Sequence, residues 1–449
     1  MDRIAIIILG LACCVLTACQ DYLSLKSSNE LAVPTELADL QALLDDHTYM
    51  NELRTPSYLQ SASDEYFLPD AAYNALLPEL KLLYQWQPFD YRHRNDWSQA
   101  YTPIYNANYC LETLDRIPRL NEQGPLWDNV YGSALFYRSY YFLQLLWAYA
   151  ESYKPAGPND GRGIVIKMST DFNQRSVFAD VEQSYQQVIA DATRALQFLP
   201  DLPLRKNRPS KAAAHALLAR AYLSMGLYEN AGHHADETLR LSSEMIDYNT
   251  PGDGINITAN NPFARFTKET IFYSESGQGF QVHSPTRALI DTALLSLYDA
   301  ADLRRRAFFR PDNQYQRFKG THSHSINWLF SGLSTSEVLL IRAESSVRRG
   351  DMDAGMNDLN SLLIKRWDKN VPFVKKSANN LNDALSLVLE ERRKELVMRG
   401  IRLSDIKRLN VEGRGIVLRR HIAGEVVTLE PNSERYQLAP PADLLPFLD

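Results

Sequence analysis

Two distant segments of this chain repeat one order of small and apolar residues, and that repeat limits what the chain can fold into. In LLARAYLSMGLYENAGHHADETLRL (217–241), Ala219 is followed by Gly226, Tyr228, Ala231 and Ala235. In the second copy Ala343 is followed by Gly350, Met352, Ala354 and Leu359. Small side chains at these places let two antiparallel helices approach closely, and the glycine permits the turn between them. A helix pair of this kind cannot bury its apolar face alone, so it must be packed against further pairs.

The rest of the chain supplies candidates for those pairs. Trp97, Tyr101, Ile104, Asn108, Leu111 and Leu114 fall on one helical stripe, and Trp127, Tyr131, Ala134, Arg138, Phe142 and Leu145 nearly make a second. Val181, Tyr185, Val188, Ala192 and Leu196 make a third, ended by Pro200 and Pro203. After Pro209 and the N-cap candidate Ser210, an Ala-rich helix is expected over Lys211–Met225. Extended runs are scarce, with short strands expected at Gly163–Lys167 and Ile271–Ser274. The segment 217–241 resembles a tetratricopeptide repeat. The expected fold is mostly α, with helix pairs at about 97–150, 180–241 and 336–367 forming a cradle. Between 245 and 335 the periodicity gives way to Gly, Pro, Asn and Ser, an irregular insertion of the kind that tends to carry a ligand.

The amino terminus reads as an address. The apolar run from Ile4 to Leu16 is shorter than the roughly 20 residues that span a bilayer, and it suits a secretory signal. Leu16-Thr17-Ala18-Cys19 resembles the bacterial lipobox. Residues 1–18 are therefore expected to be a lipoprotein signal peptide, with Cys19 lipidated and 19–449 a single body anchored to a membrane by acyl chains. The 449 residues carry 48 Lys and Arg against 54 Asp and Glu, a net charge of −6, which disfavours a nucleic-acid partner.

In their order and spacing, these blocks resemble the SusD/RagB family of outer-membrane nutrient-binding lipoproteins of Bacteroidetes. The resemblance runs from DYLSLKSS (21–28) and PTELADLQALLDD (34–46) through Asp64-Glu65, the Trp97–Asn108 run and SALFYRSYYFLQLLWAYA (133–150). It continues in LYDAADLRRRAFF (297–309), SEVLLIRAESSVRRGDMDAGMNDLN (336–360) and ERRKELVMRGIRLSDIKRLN (391–410). It implies a surface-exposed lipoprotein of the outer membrane that captures an oligosaccharide or a peptide. It further implies delivery of that ligand to a TonB-dependent transporter, with no chemistry performed on it. The alternative from the residues alone is a scaffolding lipoprotein of the cell envelope with no small ligand.

No motif for nucleophilic, phosphate or dinucleotide chemistry is present, and no carboxylate pair stands out for glycoside cleavage. The pairs His322/His324 and Asp351/Asp353 lack the further ligands that a metal site needs, so neither a metal nor a cofactor is expected. Cys110 falls on an apolar stripe and reads as core. The block Glu390–Glu395 reads as a helix laced by i,i+4 ion pairs, and Arg304, Arg305, Arg306 and Arg310 as a structural cluster or a basic face. Sugar rings and apolar side chains both pack on exposed aromatic faces oriented by nearby amides. The ligand-binding candidates are therefore Tyr84, Trp86 and Tyr91 in YQWQPFDYR (84–92), whose aromatics ignore helical spacing, together with Phe280 and Trp328 in the insertion.

Overall fold

The computed structural model describes residues 34–448; the signal segment and Cys19 lie outside the described residues. Among these residues ten helices have nine residues or more. They are α1 (Leu37–Asp45), α2 (Asp96–Leu114), α3 (Gly124–Tyr149), α4 (Val181–Ala195), α5 (Lys211–Ser224), α6 (Tyr228–Leu241), α7 (Thr335–Arg348), α8 (Met352–Leu363), α9 (Leu381–Glu395) and α10 (Arg402–Val411). The expected N-cap Ser210 holds the start of α5, its Oγ accepting from Ala213 N at 3.1 Å, and Asp351 Oδ1 caps α8 by accepting from Ala354 N at 3.0 Å.

The helices stack as antiparallel neighbours, α2 on α3, α3 on α4, α5 on α6 and α7 on α8, with α6 also packed on α7. The two repeated glycines do the same job in the two signature pairs. Gly226 turns α5 into α6 at φ 72°, and Gly350 turns α7 into α8 at φ 91°; both lie in the left-handed region that a side chain disfavours. In the second pair Gly355 holds α8 against α7 so closely that an added Cβ would stand 2.8 Å from the Ala343 carbonyl oxygen.

Helix α3 departs from its one-sided stripe. It is buried almost continuously from Val130 to Tyr149, because α1, α2 and α4 and the strand at 162–165 all pack on it. Its one interior arginine, Arg138, ties three helices together. It forms a bidentate pair with Asp191 of α4 at 2.7 and 2.8 Å and donates to Asn108 Oδ1 of α2 at 2.9 Å.

Ten short strands form five antiparallel pairs among the described residues. They are β1 (Tyr66–Phe67), β2 (Arg162–Val165), β3 (Phe178–Asp180), β4 (Thr270–Phe272), β5 (Leu289–Ile290), β6 (Phe309–Asp312), β7 (Tyr315–Phe318), β8 (Leu333–Ser334), β9 (Leu418–Ile422) and β10 (Glu425–Leu429). The expected strands near 163 and 271 correspond to β2 and β4. The hairpin β9–β10, with Leu418 opposite Leu429, carries no turn motif that periodicity alone would select. The insertion has its own apolar centre, in which Tyr248, Phe263, Phe308, Phe309 and Phe318 gather with Val397 and Met398.

The charged block of α9 is not a solvated face. Glu391, Arg392, Lys394 and Glu395 are all buried, and apart from Lys394–Glu391 their partners are distant in sequence. Arg304 pairs with Asp302, Glu391 and Glu395, while Arg366 pairs with Glu395 and Glu269. Arg304 is therefore a structural residue that joins the insertion to α9, whereas Arg305 and Arg306 stay exposed. Cys110 is fully buried, and its thiol is pushed up to about 12 by burial.

Candidate functional site

The ribbon β4–β8 continues past its last ladder pair through a bridge between Glu275 and Phe330, and Ser276 N donates to Leu329 O at 2.8 Å. The two loops that leave this ribbon, 276–286 and 327–329, enclose a cleft of about 310 Å³. Its lining is rich in hydroxyls and amides: Ser276, Gln278, Gln281, Ser284, Thr286 and Asn327. Trp328 lines the same cleft and keeps 38% of its surface exposed. Its backbone is anchored, since Thr321 Oγ1 donates to Trp328 O at 2.8 Å and Ser323 Oγ donates to the same oxygen. An indole held at its backbone with an open face is a ready stacking surface for an apolar ring face.

The cleft floor is fixed from below. Ser57 Oγ accepts from Phe280 N at 2.7 Å, and Ser61 Oγ meets both Phe280 O and, at 2.8 Å, His283 Nδ1. Burial pushes the His283 imidazole down to about 3, so the residue is neutral and serves as a hydrogen-bonding wall. Ser276 Oγ is buried without a hydrogen-bond partner, an unsatisfied group of the kind a bound hydroxyl would complete.

The structure separates the five aromatic candidates. Of these, Trp328 is the exposed one, whereas Tyr84, Trp86, Tyr91 and Phe280 are all buried. Tyr84 and Trp86 wrap the guanidinium of Arg420 on β9, whose carbon lies 3.9 and 4.4 Å from their ring centroids. The Trp86 indole N–H donates to Ala62 O at 2.8 Å. Tyr91 and Phe280 pack edge to face at 5.4 Å, and Phe89 completes a triangle with them at 5.5 Å from Tyr91 and 5.6 Å from Phe280. These rings form a stacking surface for one another and for Arg420; Trp86, 3% exposed, also borders with Phe89 a separate cavity away from Trp328. The 84–92 segment ignores helical spacing because its rings meet three different partners, not because they meet solvent. The Phe280 ring supports the cleft without lining it.

Periodicity could not identify the polar lining residues, because loops 276–286 and 327–329 have none; the Gly277–Gly279 stretch was the local signal. His322 stacks on Phe263 at 4.0 Å, and His324 Nδ1 lies 2.8 Å from Phe263 O. Among the described residues no group of three or more His, Cys, Asp or Glu side chains is arranged to hold a metal. No helix among them is long and apolar enough to cross a membrane.

Comparison with known proteins shows what the chain is similar to. The SusD-like family described as "Starch-binding associating with outer membrane" matches residues 21–223. The chain is 29% identical over 140 residues to SusD-like protein P2 of Formosa agariphila, a match that covers 31% of this chain and a quarter, 25%, of that relative. A putative sugar binding protein from Bacteroides vulgatus shares the fold with a TM-score of 0.75 and 19% identity, over 93% of this chain and 99% of that one. A laminarin binding SusD-like protein does so with a TM-score of 0.63 and 17% identity, over 92% and 96%. The helix-pair cradle thus shares its fold with SusD superfamily structures. Over residues 21–223 the chain is similar to that SusD-like family, and over 140 residues to the SusD-like relative.

Proposed function

We propose that this protein is a glycan-binding SusD-like protein of the outer membrane that takes an oligosaccharide in the Trp328 cleft. The observation that carries this reading is the half-open indole of Trp328 among three amides and three hydroxyls. Sugars present an apolar C–H face and a rim of hydroxyls, and this lining matches both. The sugar-binding and laminarin-binding descriptions of the fold relatives support the same class of ligand.

The protein acts by capture, without turnover. Among the described residues no carboxyl group lines the cleft, and the one titratable side chain there, His283, is neutral; glycoside cleavage needs two placed carboxyls. The lipobox-like Cys19 supports a lipid anchor, and the family resemblance supports an outward-facing position and hand-over to a TonB-dependent transporter. The scaffolding alternative has no use for an open indole in a polar cleft.

Intrinsic fluorescence titrated with a glycan panel and a peptide panel tests the reading. One glycan class should quench saturably, and Trp328→Ala should weaken its binding about tenfold or more. Saturation by peptides alone, or no effect of Trp328→Ala, would defeat it. Cys19→Ala should release the protein from the membrane fraction, and unchanged retention would defeat the anchor.

A further inference from the structure

A second cavity lies away from Trp328, between the end of α3, helix α10 and the segment 432–439. It has two lobes of about 430 and 440 Å³ that share Glu151, Glu434 and Gln437 as wall residues. Its walls carry four cationic side chains, Lys154, Arg162, Lys407 and Arg435, against the two carboxylates of Glu151 and Glu434.

Lys407 is the unusual member, since it is only 7% exposed and has no salt-bridge partner within contact distance among the described residues. Its ammonium donates to Trp147 O at 3.0 Å and Ala150 O at 2.8 Å, closing the carboxyl end of α3. An ammonium has three N–H groups, so this cap leaves one of them uncommitted at the cavity wall. Burial also pushes the group down to about 7, and the charge of Glu151 on the same wall only partly opposes that shift. On the facing segment Gln437 Oε1 is buried with no partner. The cavity therefore offers one donor that seeks an anion and one acceptor that seeks a hydroxyl.

We propose that this groove is a second binding site, for an acidic oligosaccharide whose carboxylate sits on the Lys407 ammonium and whose hydroxyls donate to Gln437. A carboxylate would supply the missing counter-charge, and the length of the double-lobed groove suits a chain of sugar units over a single small anion. The Trp328 cleft shares none of these residues, so the two sites stand or fall separately.

The test is calorimetric titration of the full chain in detergent with galacturonic acid oligomers, beside galactose oligomers of equal length. The acidic oligomers should bind saturably and about tenfold or more tighter than the neutral ones, and Lys407→Met should remove that preference. Trp328→Ala should leave binding of the acidic oligomers unchanged. Because Lys407 also caps α3, Gln437→Ala provides a variant that spares the cap, and it should weaken binding about fivefold or more. No saturable binding, equal affinity for the two oligomers, loss in Trp328→Ala, or unchanged binding in Gln437→Ala would each overturn the proposal.

Discussion

The guanidinium of Arg420 lies 4.4 Å from the ring centroid of Trp86, and among the described residues no carboxylate pairs with it. It is held by backbone carbonyls, with Arg420 Nη2 donating to Ser61 O at 3.0 Å and Ser63 O at 2.8 Å and Nη1 to Tyr84 O. Three rings, those of Tyr66, Tyr84 and Trp86, supply the rest of its environment. This hub fastens the β9–β10 hairpin to the segment that precedes α2, and it determines which aromatics remain for a ligand.

Trp86 and Trp328 should respond in opposite ways to truncation. Trp86→Ala empties a buried site and strands Arg420, so it should cost about 3–5 kcal/mol in chemical denaturation. Trp328→Ala removes a side chain that is 38% exposed, and should change stability by less than about 1 kcal/mol while weakening glycan binding. A Trp86 variant of full stability with impaired binding would reverse these roles.

Arg220 of α5 and Glu337 of α7 form a buried bidentate pair, with Nε–Oε1 at 2.7 Å and Nη2–Oε2 at 2.6 Å. Glu337→Gln should destabilise the fold by about 3–5 kcal/mol, because it leaves the Arg220 charge without a counter-ion. Replacing both by apolar residues, Arg220→Met with Glu337→Leu, should cost less than the two single changes added together. Urea denaturation of all four proteins gives the coupling directly.

Asp96 opens α2 with its carboxylate buried against Ser57 Oγ at 2.9 Å and Tyr58 N at 2.8 Å. Burial pushes this carboxyl up from 3.8 to about 7. Between those values the folded chain keeps a proton that the unfolded chain releases. The contribution is therefore full below pH about 4 and is lost as the pH rises through about 7. Asn stays neutral throughout, so the melting temperature of Asp96→Asn should rise relative to the parent between pH 4 and pH 8. A constant difference would rule out the shifted carboxyl.

Cys110 should be inert in the folded chain. Its thiol is buried and pushed up to about 12, leaving almost no thiolate at neutral pH. Alkylation followed by peptide mapping should find the Cys110 peptide unmodified under native conditions and fully modified in denaturant. Modification without denaturant would show that α2 opens locally.

The helices were legible because their signals are local. Ser210 caps, Gly226 and Gly350 turn, and Ala219 and Ala343 admit a neighbouring helix, each within one turn of the element it shapes. The α9 charges were misread because i,i+4 spacing gives a local explanation for any interleaved block. Arg304 and Arg366, which claim Glu391 and Glu395, come from segments tens of residues away. Among the aromatics, composition established a supply of rings, and only the packing around Arg420 showed which ones were already occupied.

By itself the sequence determined the helix-pair repeat, the place of the irregular insertion and the family resemblance, since each depends on residue types at short, regular intervals. Only the tertiary structure decided that Trp328 is open while Tyr84, Trp86, Tyr91 and Phe280 are buried. Exposure is a property of what arrives on a side chain's faces. For these rings the arrivals are Arg420 from β9, Ala439 near the carboxyl end, which accepts from Tyr91 Oη, and Ser57, which accepts from the Phe280 backbone. Such contacts span from about 200 to more than 300 residues, and no local periodicity encodes them.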